Sequence, residues 1–143
     1  PTNLMPLLLN VALGKSTLSI FGTDYETQDG TCERDFIHVC DLAKAHVKSL
    51  IYAETAKGFS SFNIGTGKST SVRRLISIFE EVCNVTVPVT FEDRRVGDVP
   101  VCYAATSRAN SDLCWVAELD ISDMCRDSWA WRLANPDGYT SRR

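Results

Sequence analysis

The chain lacks a long apolar run, has little histidine, and carries no charge excess large enough to act at a distance. Each of these lacks removes a class of function. Its longest apolar stretch near the start, Leu7-Leu8-Leu9 followed by Val11-Ala12-Leu13, is broken by Asn10 and falls well short of the roughly 20 residues a membrane-spanning helix needs. No basic residues lead into it, so a secretory signal is not expected and a cytoplasmic protein is. A net charge of -3 over 143 residues makes no field that would gather nucleic acid or an anionic bilayer. Any recognition of phosphate must therefore be local. The two histidines, His38 and His46, stand in no metal-type arrangement with Cys, Asp or Glu, and no metal is expected. His38 reads as a hydrogen-bonded structural residue and His46 as a half-buried packing residue.

The motifs of phosphate and dinucleotide binding are also missing. Gly14-Lys15-Ser16-Thr17 and Gly67-Lys68-Ser69-Thr70 end as a P-loop does, but the earlier glycine that lets backbone N–H groups wrap a phosphate is replaced by Leu9 and Phe62. No two of the eight glycines are three apart, which excludes the dinucleotide fingerprint. A Tyr-x-x-x-Lys pair is absent too: Asp29, Ala56, Ser107 and Arg143 stand four residues after the four tyrosines. No catalytic residue and no cofactor-binding residue is assigned within the chain.

The six cysteines show no CxxC spacing and mostly sit in apolar segments, so they read as buried free thiols of a reducing compartment. With 44% hydrophobic residues, residues 1–143 are long enough for one domain around one core. The start at Pro1, already on the approach to a helix, suggests part of something longer.

Periodicity places a helix from Asn3 to about Leu13, stopped by Gly14, and a strand from Leu18 to Phe21. A polar, glycine-bounded loop follows from Gly22 to Thr31. An extended piece, Phe36 to His38, feeds a helix from about Cys40 to Ala56 with a stripe of Leu42, Ala45, His46, Ser49, Leu50 and Ala53. Ser61 to Ile64 reads as a strand. Ser71 caps a helix carrying Val72, Leu75, Ile76, Phe79 and Val82. Val85 to Phe91 is a strand interrupted by Pro88, Thr106 or Ser107 opens a short helix that ends at Cys114-Trp115, and a last helix runs from about Ile121 to Ala134. Trp115, Trp129 and Trp131 are expected to anchor the C-terminal helices. Short strands interleaved with about five helices make a small mixed α/β lobe.

Two charged clusters carry the chemistry: Arg34-Asp35-Phe36-Ile37-His38-Val39, and Arg94-Arg95-Val96-Gly97-Asp98-Val99-Pro100. A guanidinium is always charged and offers a planar fork of donors, so two of them can hold a diphosphate in a way one lysine cannot. Solvated surface charges are the plainer alternative. The Gly, Asp and Pro after Arg95 define a loop and favour a binding role.

Taken together, Asn3-Leu4-Met5-Pro6, Ile20-Phe21-Gly22-x-Asp24-Tyr25, Asp29-Gly30-Thr31, Arg34-Asp35-Phe36-Ile37-His38-Val39-x-Asp41-Leu42-Ala43, Asn63-Ile64-Gly65-Thr66-Gly67, Arg94-Arg95-x-Gly97-Asp98-x-Pro100 and the closing Asn135-Pro136-x-Gly138-Tyr139 resemble the UDP-glucose 4-epimerases, extended short-chain dehydrogenase/reductases. The resemblance implies the C-terminal part of an extended Rossmann-type enzyme. In that family an upstream Rossmann domain binds NAD and supplies the catalytic Tyr and Lys. It also implies that this part holds a UDP-hexose, alone does no chemistry, and belongs to a homodimeric enzyme of galactose metabolism. By resemblance, Asn3 and Leu4 line the diphosphate and sugar side, and Ser19, Ile20 and Phe21 flank the uracil. Arg34 and Arg95 clamp the phosphates, and Asp98 accepts a ribose hydroxyl. Cys102 bounds the hexose pocket, leaving room for an N-acetyl group. Phe36 stands where the family usually has tyrosine, Cys32-Glu33 replace a Gly-Val-like pair, Val96 replaces a glutamate and Ser69 a glycine. A truncated UDP-sugar-binding module without chemistry, or part of another nucleotide-sugar dehydratase or decarboxylase, is the alternative.

Overall fold

A computed structural model describes residues 3–136 and 138; Tyr139 of the closing motif lies outside them. The first helix, α1 (Leu4–Ala12), follows Asn3 in extended backbone and leads to β1 (Leu18–Phe21). Then come β2 (Glu33–Arg34), α2 (Val39–Ala53), β3 (Thr70–Ser71), α3 (Val72–Cys83), β4 (Val89–Glu92), β5 (Val101–Cys102), α4 (Ser107–Asp112) and α5 (Ile121–Ala134). The lobe is mixed α/β with five helices among the described residues, as expected from the sequence.

Local chemistry accounts for the helix starts. The Ser71 hydroxyl accepts the Arg74 N–H at 3.0 Å, Asp120 and Asp123 form a reciprocal capping box at α5, and His38 Nδ1 accepts the Cys40 N–H at 3.1 Å. Each satisfies donors that the first helical turn leaves free. His38 Nε2 lies 3.3 Å from the Asp127 carboxylate, so this buried ring ties α2 to α5.

Two sheets carry the strands. β1 and β4 run parallel with Leu18 opposite Val89. β2 is the centre of a second sheet, antiparallel to β3 and parallel to β5. The apolar interior is divided rather than single. One cluster gathers Leu8, Ile20, Leu75, Phe79 and Cys125 from α1, β1, α3 and α5, with Phe79 meeting Trp129 edge to face at 5.9 Å. The other joins Ala45 of α2 to Ala109, Leu113 and Trp115. Burying each large apolar side chain contributes about 1.5–3 kcal/mol.

Several expectations need correction. Residues 61–64 alternate in burial as a strand would, yet no neighbouring strand pairs with them among the described residues. A strand exists only through its ladder. The Phe36 to His38 piece is irregular, and the ladder falls instead on Glu33 and Arg34. In α2 the buried side runs through Asp41, Ala45, Ser49 and Tyr52, while His46 and Leu50 are exposed. Trp131 is 47% exposed and anchors less than Trp115 and Trp129. Of the free thiols, Cys32 and Cys125 are buried, Cys83 partly so, and Cys40, Cys102 and Cys114 are exposed. Burial pushes the Cys125 thiol up to about 12, so it is inert at neutral pH.

Candidate functional site

The site is organised by the two-residue period of β2. Successive side chains of an extended backbone point to opposite faces, so Cys32, Arg34 and Phe36 line one cleft while Glu33 lines a polar depression on the other side. Glu33 therefore does not face the ligand side of Arg34. Its carboxylate accepts the Ser69 hydroxyl instead.

The cleft has a volume of about 260 Å³. Its walls bring together nine of the ten residues singled out from the sequence: Asn3 and Leu4 from the start of α1, Ser19, Ile20 and Phe21 from β1, Arg34 and Phe36 from around β2, and Arg95 and Asp98 from the loop before β5. The tenth, Cys102, stands outside. It is opposite Arg34 in the β2–β5 ladder and lines an adjoining concavity that shares Arg34 with the cleft.

The loop owes its shape to a tight turn. The Asp98 N–H donates to the Arg95 carbonyl at 3.2 Å, and Gly97 has φ +91°, a value that side-chain-bearing residues resist. The turn sends its two arginines apart. Arg94 donates to the Asp24 carboxylate at 2.6 Å and lies over the Tyr25 ring at 4.2 Å. Its hydrogen bond holds Asp24 below the usual carboxylate range. Arg95 turns into the cleft, with its guanidinium carbon 3.6 Å from the centre of the Phe21 ring.

Arg34 is fixed by the chain itself. It donates to the carbonyls of Glu33 and Val99, each at 2.8 Å, and to the Asp98 carboxylate at 3.3 Å. Arg34 forms no ion pair with its neighbour Asp35; it pairs with Asp98. Asp35 faces away and accepts four donors: the N–H and hydroxyl of Thr66 at 2.9 and 2.6 Å, the Gly67 N–H at 3.0 Å and the Ala104 N–H at 3.1 Å. Burial alone would push the Asp35 carboxyl up, but these bonds outweigh it and hold the pKa below the ordinary value. Gly65 is needed here because a Cβ would stand 2.4 Å from the Asp35 carboxylate.

Sequence reasoning missed three contributors. Asp35 welds β2, the Gly65-Thr66-Gly67 turn and the residues after β5 into one frame. Asp41, fully buried, accepts the N–H groups of Glu118 and Leu119 at 2.9 and 2.8 Å. Cys32 forms part of the cleft floor beside Tyr25, whose hydroxyl is buried without a hydrogen-bond partner. Burial, then the neighbouring Cys32 thiol, raise the Tyr25 pKa. The alternation of 32, 34 and 36 was the available signal for Cys32.

An arginine-walled cleft thus lies between a parallel strand pair and a small mixed sheet. Residues 1–65 match the model of the NAD dependent epimerase/dehydratase family. More particularly, its relatives are UDP-glucose 4-epimerases. It is 46% identical over 142 residues to the UDP-glucose 4-epimerase of Bacillus subtilis, across 99% of this chain and 42% of that protein. It is 45% identical over 147 residues to the Drosophila melanogaster enzyme, across 99% of this chain and 41% of that protein. The UDP-glucose 4-epimerase of Stenotrophomonas maltophila, with bound NAD and formylated UDP-arabinopyranose, superposes with a TM-score of 0.92 at 43% identity, over 97% of this chain and 42% of that one. The Bifidobacterium longum enzyme, in complex with NAD+ and UDP, gives a TM-score of 0.90 at 41% identity, over 97% of this chain and 42% of that one. The chain thus spans about two fifths of the length of these relatives.

Proposed function

We propose that residues 1–143 are the C-terminal, UDP-sugar-binding part of a UDP-glucose 4-epimerase that interconverts UDP-glucose and UDP-galactose. The convergence of Arg34 and Arg95, 61 positions apart in sequence, on one cleft beside Phe21 and Asp98 carries this reading. Two guanidinium forks suit a pyrophosphate, Phe21 offers a flat apolar ring to the base, and Asp98 accepts a hydrogen bond from a ribose hydroxyl. Gripping the nucleotide at a distance from the reacting carbon leaves the sugar free to turn while it stays bound. The whole protein is proposed to be a homodimeric cytoplasmic isomerase of galactose metabolism.

NAD, which takes and returns a hydride when bound, does not fit the residues present here. The glycine fingerprint is missing from the sequence, and the starts of α2, α3 and α5 are closed by their own side chains, His38, Ser71 and Asp120, while the start of α1, which has no side-chain cap, lies at the UDP-sugar cleft itself. NAD and the catalytic base are assigned to the upstream Rossmann part. The role of this chain is to bind and orient the substrate, and alone, with NAD added, it is expected not to epimerise.

Cys102 is small and exposed where its concavity meets Arg34. This favours an N-acetyl group at the sugar 2-position as a second accepted substituent. In the full-length enzyme, Cys102→Tyr should abolish turnover of the N-acetyl pair and spare UDP-glucose. A parent enzyme with no turnover of the N-acetyl pair would refute this.

Titration calorimetry with UDP tests the main reading. The chain should bind UDP, and Arg34→Ala should lose roughly 1.5–3 kcal/mol of that binding. Absence of UDP binding by the well-folded chain would sink the assignment.

A further inference from the structure

Among the described residues, Arg95 is exposed and makes neither an ion pair nor a side-chain hydrogen bond; its one close engagement is the Phe21 ring at 3.6 Å. Phe21 and Phe36 are the two aromatic walls of the cleft. Phe36 packs against the core cluster, which leaves Phe21 as the ring for a planar base. The guanidinium covers one face of that ring. Arg95 sits at the shoulder of a tight turn whose tip, Val96, is fully exposed, so its side chain can swing without disturbing the core.

We infer that Arg95 is a specificity-determining residue that rejects uncharged nucleosides, because it occupies the Phe21 ring until an anionic ligand draws it off. The inference rests on the UDP-sugar reading above and adds a direction to it. A base without phosphate must displace a stacked cation and offers that cation nothing in return. A nucleoside diphosphate gives the guanidinium a bidentate, charge-assisted partner, and this offsets the lost stacking. One residue therefore opposes the base and favours the diphosphate. Arg34 cannot serve in this way, being held by two carbonyls and Asp98.

The test is titration calorimetry of the 143-residue chain and its Arg95→Ala and Arg95→Gln variants with uridine, UDP and inorganic pyrophosphate. A matched thermal melt confirms that these exposed-site variants fold. In both variants, uridine affinity should rise about two- to fivefold, while UDP and pyrophosphate affinities fall about tenfold or more. If the wild-type chain binds UDP but uridine and UDP weaken together in the variants, the exclusion role is wrong and the UDP-sugar reading survives. If the wild-type chain binds no UDP, both fall.

Discussion

The Ser69 hydroxyl donates to the Glu33 carboxylate, joining two positions 36 residues apart. Glu33 belongs to the β2–β3 ladder, where it is opposite Ser71, and Ser69 directly precedes β3. The bond turns a carboxylate that adjoins Arg34 in sequence toward the opposite side of the strand. Replacing both residues should therefore cost less than the sum of the separate changes. For Glu33→Val and Ser69→Gly, denaturant melts of the four proteins of a double-mutant cycle should give a coupling of about 1 kcal/mol. Strict additivity would show that the two residues do not support each other.

Asp41 supports the second apolar cluster from inside. Its carboxylate is fully buried and holds the Glu118 and Leu119 N–H groups, with Lys44 Nζ at 3.6 Å. Asp41→Ala strands two backbone donors and should lower stability by about 2–4 kcal/mol, with amide exchange accelerated first around residues 117–119. A melting temperature equal to wild type would refute the assigned role.

Acid should loosen the frame of the cleft before it unfolds the rest. Asp35 and Asp29 both have pKa values below the ordinary 3.8. Burial raises each, and bonds from Thr66, Ala104 and Gly67, or from Ser71 and Thr31, outweigh it. A carboxylate depressed in the folded state contributes stability that is present above its unfolded pKa and lost as pH falls through the folded value. The window is therefore below about pH 4. Asp35→Asn should flatten the loss of stability between about pH 4 and pH 2, read from urea midpoints; an unchanged slope would count against this account.

The outer side of α2 is apolar and uncovered among the described residues: Val39 is 70% exposed, Val47 57%, Leu50 70% and Ile51 56%. Such a patch favours association. The chain should self-associate in light scattering, and Val47→Glu with Leu50→Lys should shift it toward monomer without lowering the melting temperature. A monodisperse wild-type monomer at high concentration would contradict the expectation.

Elements with local signals were readable in advance. β1 was bounded correctly, and α5 ends where Asn135-Pro136 stops it; its Asp120 cap emerged only in the structure. The strands β2, β3 and β5 were not readable. Each is two residues long and exists because distant segments pair, so no periodicity could mark it. The register of α2 failed for a related reason. The helix is apolar on both sides, and Asp41, a polar residue, sits on the buried one.

The sequence alone determined which residue types were available: two arginine clusters, a glycine turn, capped helices, and neither a dinucleotide fingerprint nor a Tyr/Lys pair. The tertiary structure decided who meets whom. Arg34 binds Asp98 rather than its neighbour Asp35, and Arg95 lies on Phe21. The reason is geometric: adjacent side chains on an extended backbone point to opposite faces, so charges that touch in the sequence part in space, and their partners arrive from segments that only folding brings near.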